Sequence, residues 1–115
     1  MGAGATVDLT AHDGVCVAAL AGEVDLLASK RLTSESLAAL GTSGTLVLDL
    51  SEVTFLDSTG LRLVFSTRRR LARRGRHLAV VVPRDERVRQ IFAMIDAADA
   101  LDLFETVEDA LQHSR

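Results

Sequence analysis

The run Thr45-Leu46-Val47-Leu48-Asp49-Leu50 constrains the fold of this chain more than any other segment. It is almost continuously apolar, the pattern of a strand covered on both faces, and suits the middle of a sheet. Helix-period segments flank it on both sides. From Leu26 to Leu40, the residues Leu32, Ser36, Leu37 and Leu40 fall on related turns, and Gly41 supplies a stop. Beyond the strand, Leu61, Val64, Phe65 and Leu71 form the stripe of a second helix, which Gly75 ends. Strands joined through helices by short connections predict a mixed or largely parallel sheet with helices packed against it.

The remaining segments fill in that plan. Val7, Leu9 and Ala11 alternate with polar residues as in a half-buried strand, Asp13-Gly14 is a turn, and Val15 to Leu20 reads as a more buried strand. Together they predict an N-terminal hairpin. His77 to Val82 is another strand, closed by Pro83. Glu86 to Ile95 has helical spacing with Val88, Ile91, Phe92 and Ile95 inward, Leu101 to Phe104 is an edge strand, and Val107 to Gln112 is a last short helix. The predicted class is α/β: a mixed sheet of four or five strands with about four helices, in the order ββαβαβαβα. With 115 residues, one domain spans 1–115, ordered over about 5–112. Folding at this length removes roughly 65% of the unfolded surface from water, enough for one core.

Composition narrows the function. Trp and Tyr are absent, so stacking platforms for bases or sugars are scarce. The single Cys16 cannot form an internal disulfide, and its run Val15 to Leu20 reads it as a buried hydrophobe before a reactive thiol. Met1-Gly2-Ala3-Gly4 carries no basic start, and no run reaches the ~18 apolar residues of a membrane span, so a reducing cytoplasm is the expected compartment. The net charge of −3 hides an asymmetry: Arg62 to Arg89 holds ten arginines against two acids, while the rest carries three cations against fourteen acids. That separation favours charged protein partners or a solvated helix face.

Chemistry concentrates at Asp57-Ser58-Thr59-Gly60-Leu61, which follows the central strand and opens a helix. Read alone, Ser58 or Asp57 is a helix cap worth about 1 kcal/mol. Two further segments stand at set places around it: Gly22-Glu23-Val24-Asp25 after the second strand, and Glu108-Asp109-Ala110-Leu111 at the end. This combination resembles the STAS domain family, specifically its anti-sigma factor antagonists, over nearly the whole chain. The resemblance implies that Ser58 accepts a phosphate from a cognate anti-sigma factor that is also a serine kinase. The unphosphorylated form would bind that kinase and free a sigma factor; phosphorylation would break the complex, and a serine phosphatase would restore it. Asp25 would position the Ser58 hydroxyl, with a cap of the helix at Leu26 as its other reading. Asp57 would orient Ser58 or cap. Thr59, Gly60, Leu61 and Arg62 would complete the partner surface, Gly60 by letting a kinase approach the backbone, and Arg62 is equally a solvated residue. Many relatives have a second serine at Thr59, and many carry Gly-Leu where this chain reads Asp96-Ala97-Ala98-Asp99-Ala100-Leu101. The free protein is expected to be a monomer.

The physics of such a switch is simple. A phosphate adds about −2 charge. At about 4 Å from Asp57 or Asp25, each unit repulsion is on the order of 4 kcal/mol at an effective dielectric near 20, before screening by solvent and salt. A surviving ~2.8 kcal/mol weakens binding about a hundredfold. The helix dipole returns only about 1 kcal/mol.

Other classes fit the residues less well. No Gly-x-Ser-x-Gly elbow surrounds Ser58, nothing marks His12, His77 or His113 as its base, and no nucleotide loop or metal spacing is present, so neither enzyme, cofactor nor metal is expected. Arg68-Arg69-Arg70 with Arg73, Arg74 and Arg76 would suit phosphates, yet the acidic total argues against direct nucleic-acid binding. The serious alternative is a STAS subunit of the stressosome or lipid-transport type that binds a protein constitutively.

Overall fold

A two-residue loop starts the architecture. β1 (Ala5–His12) and β2 (Val15–Val24) pair antiparallel, with His12 opposite Val15. Both loop residues have positive φ, 42° at Asp13 and 81° at Gly14, the twist that a tight hairpin needs. The computed structural model describes residues 4–97 and 101–113, apart from the side chains of Leu26 and residues 95–97.

After the hairpin come α1 (Leu26–Leu40), β3 (Thr45–Leu56), α2 (Ser58–Ala72), β4 (His77–Val81), α3 (Glu86–Ala97), β5 (Asp102–Phe104) and α4 (Val107–His113). This is the predicted order. Strands neighbour one another in chain order, β3 lies in the middle, and every pair after the hairpin is parallel. Both faces of the sheet are covered, which is why β3 and β4 read as unbroken apolar runs. Leu20, Leu46, Leu48, Leu50 and Val80 meet Leu32 and Leu40 of α1, Val64 and Leu71 of α2, and Val88 and Phe92 of α3. On the opposite face, Val15, Val17, Val47, Ala79 and Val81 pack under Ala110 of α4.

Three expectations change. First, β3 runs six residues past Leu50, to Leu56. Ala19 pairs with Asp49 but Ala21 with Glu52, and Gly22 pairs with Val53 but Glu23 with Phe55. Each step places one extra residue in β3, and these bulges break the alternation that would have revealed the strand. Gly22 sits at the second bulge with φ 94°, where a side chain would also run into the carbonyl of Gly4. Second, β1 is more exposed than a half-buried strand. Val7, Leu9 and Ala11 pair with Leu20, Ala18 and Cys16 on the core side, yet Leu9 and Ala11 stay exposed because β1 is the sheet edge. Third, Ile91 is half-buried rather than buried. The burial of Ile95, and the segment 98–100 where relatives carry Gly-Leu, lie outside the described residues.

Candidate functional site

Two helices begin side by side at one end of the sheet, and the reason is register. Val24 and Leu56 are partners at the ends of the parallel strands β2 and β3. The next residue in each strand is an aspartate, and each caps the helix that follows. Asp25 is extended (φ −90°) and its Oδ1 accepts the Ala28 N–H at 2.9 Å; Asp57 is extended (φ −92°) and its Oδ1 accepts the Gly60 N–H at 2.8 Å. A carboxylate at that place satisfies a free donor and meets the positive pole of the helix.

Asp57 therefore does the capping, and Ser58 does not. Ser58 is the first residue of α2, it is exposed, and its hydroxyl makes no hydrogen bond within the described residues. The N–H groups of Ser58 and Thr59 point out of the first turn with no acceptor inside the helix. An anion covalently attached to Ser58 would meet those donors. Arg62 is exposed one turn along, on the same face as Ser58. Thr59 is half-buried, and Leu61 is half-buried against the core. Asp25 is exposed at the neighbouring helix start, with its carboxylate engaged in its own cap and no hydrogen bond to Ser58.

The reading of Gly60 as an opening for a partner is corrected. Gly60 is buried and faces inward. A Cβ there would lie 2.6 Å from Leu56 Cδ1, 3.1 Å from Ser29 Oγ and 3.4 Å from the Val24 carbonyl oxygen. Its missing side chain is what lets the start of α2 seat against α1 and β2. The same seam uses small hydroxyl residues. Buried Ser29, Ser36 and Thr67 each donate to the carbonyl four residues back, to Asp25, Leu32 and Leu63 at 2.6–2.8 Å, so that none of these oxygens is stranded.

Two residues near this end were not singled out in the sequence. Leu27, in the first turn of α1, is 78% exposed, and Phe55, paired with Glu23 just before the Ser58 turn, is 47% exposed. Large apolar side chains left in water beside a polar turn suit a docking surface. The available signals were a leucine off the buried stripe of α1 and an aromatic out of phase with Leu56.

The other candidate chemistries are placed elsewhere. His77 Nε2 lies 2.7 Å from Asp102 Oδ2, His113 packs on Phe104, and His12 is exposed at the hairpin, so no histidine addresses Ser58. Cys16 is buried, and burial pushes its thiol above the ordinary value. Among the described residues no cluster of His, Cys, Asp and Glu is arranged to hold a metal, and no helix is long and apolar enough to cross a membrane.

Known proteins share this arrangement. The STAS domain pattern matches residues 6–110. The anti-sigma-F factor antagonist RsfB of Mycobacterium tuberculosis is 32% identical over 107 residues, 92% of this chain and 86% of that protein. An anti-sigma factor antagonist from Mycobacterium paratuberculosis superposes with a TM-score of 0.83 at 30% identity, covering 96% of this chain and 94% of the other. SpoIIAA in its unphosphorylated form, at 22% identity, shares the fold with a TM-score of 0.74 over 94% of this chain and 95% of its own. A match over residues 6–110 and relatives of that likeness place this chain in the STAS domain family.

Proposed function

We propose that this protein is an anti-sigma factor antagonist whose binding is switched at Ser58. The observation that carries the reading is the unengaged, exposed hydroxyl at the first position of α2, left free because Asp57 performs the capping. The names borne by the two mycobacterial relatives supply the partner class, an anti-sigma factor, and describe binding proteins rather than enzymes. In its unmodified form the chain docks an anti-sigma factor that is also a serine kinase, through Ser58, Thr59 and Arg62 with Leu27 and Phe55 as apolar anchors. Docking releases a sigma factor. Asp25 lines the edge of this surface, Leu61 supports it from below, and the free protein acts as a cytoplasmic monomer.

Phosphate on Ser58 is tolerated by the fold because the free N–H groups of the first turn face it. It is not tolerated by the complex. A charge of about −2 arrives beside Asp57, with Asp25 at the adjacent helix start, on a surface from which the partner excludes water. A serine phosphatase then resets the switch. The direct test is incubation with the cognate kinase and ATP, read by mass spectrometry. One phosphate on the wild type and none on Ser58→Ala is the expected result. An unmodified wild type would point instead to a subunit that binds its partner constitutively.

A further inference from the structure

The far end of α2 carries a group of cations without an ion-pair partner among the described residues. Arg31, Arg84 and Arg89 pair with Glu35, Glu52 and Glu105. By contrast, the side chains of Arg70, Arg73, Arg74 and Arg76 make no ion pair or hydrogen bond among the described residues. These four nevertheless converge. They line one cavity of about 300 Å³ whose apolar wall is Leu37, Leu40 and Leu71. The backbone builds the convergence: Gly75 turns the chain at φ 69°, and the Arg76 N–H returns to the Leu71 carbonyl at 2.8 Å. Arg76 is thereby brought back beside the last turn of α2.

Helix stability does not account for this. The C-terminal poles of α1 and α2 each present about −0.5 charge, so together they offset roughly one of four guanidinium charges. Among the described residues, no acidic side chain lines the cavity to balance the rest. Guanidinium groups stay charged at any working pH and fork onto phosphate oxygens in pairs. A concave site of this volume falls at the small end of ligand pockets. Among the described residues no aromatic ring lines it, so a base or sugar would find nothing there to stack on. We propose that this cavity binds a small oligophosphate anion, recognised through its phosphates alone. The site stands apart from Ser58: fifteen residues of α2 separate the two ends, about 22 Å along the helix.

The test is titration calorimetry of the full chain with inorganic tripolyphosphate, with orthophosphate as the single-charge-centre comparison. Saturable one-to-one binding is expected, much tighter for the triphosphate, with amide shifts in NMR confined to the end of α1 and residues 70–76. Arg73→Gln and Arg76→Gln should each weaken it about tenfold. Arg69→Gln, on the same helix but outside the cavity, should leave it unchanged. Three results overturn the proposal: binding that does not saturate, an Arg69→Gln loss equal to that of Arg73→Gln, or tighter binding of an oligoglutamate peptide or single-stranded DNA of matched charge. The last would mark the face as a docking surface for a macromolecule.

Discussion

A single residue of offset separates the cap, Asp57, from the proposed switch, Ser58. Asp57 is held in the extended conformation that a cap needs, so its carboxylate is committed to the Gly60 N–H, and Ser58 is left with nothing to do inside the fold. Removing the cap should cost stability: Asp57→Ala is expected to lower the unfolding free energy by about 1 kcal/mol in denaturant melts, with Ser58→Ala close to neutral. Asp25 also caps, so Asp25→Ala tests partner binding only after its own loss of stability is measured. Cys16 offers a second check at this scale. Burial raises its thiol above the ordinary 9.0, so the folded state holds that proton more tightly than the unfolded state does. Its contribution to stability is complete below about pH 9 and declines as pH rises beyond it, where the unfolded thiol ionises first. Thiol reagents at neutral pH are expected to leave native Cys16 unmodified and to label it on unfolding.

At the scale of elements, the seam between α1 and α2 decides where the switch is presented. Gly60, Ser29, Ser36 and Thr67 are small, and a methyl at Gly60 would collide with Leu56 at the end of β3 and crowd Ser29 of α1 at 3.1 Å. Gly60→Ala gains at most about 1 kcal/mol of helix propensity and pays about 1–3 kcal/mol of overpacking, so a net loss of about 1 kcal/mol is expected in thermal melts. Unchanged stability would mean that Leu56 swings aside without cost. This seam was not legible from the sequence, because glycine in Asp-Ser-Thr-Gly reads as local turn chemistry, whereas its reason is tertiary crowding by Leu56 of β3 and by Ser29 of α1, the latter thirty-one residues away. The same holds for the end of β3. Leu46 to Leu50 announce a central strand through nearly unbroken apolarity, but Ser51 and Thr54 lie at the two bulges, and no local period predicts a bulge.

Across the whole molecule, the order of elements was readable because most of them carry their own period and several their own stop, from Asp13-Gly14 to Gly41 and Gly75. Burial at the margins was not, since the edge position of β1 is a property of the sheet and leaves Leu9 in water despite correct alternation. The turn at Asp57 to Gly60 was legible as a helix start, but not the division of labour within it: Asp57 caps, Ser58 is exposed and Gly60 is buried. Side-chain charge is distributed so as to oppose the dipole of α2. Asp25 and Asp57 crown the end that bears Ser58, and the unpaired arginines crowd the other end. On the proposed reading, a phosphate on Ser58 adds to the acidic side chains already at that end, and its repulsion acts on the partner rather than on the fold. The most direct measurement is calorimetry of the cognate anti-sigma factor against the unmodified chain and against the same chain phosphorylated at Ser58. Affinity is expected to fall about a hundredfold with the phosphate, while the two forms melt alike. Equal affinities, or a phosphorylated chain that binds more tightly, would contradict it.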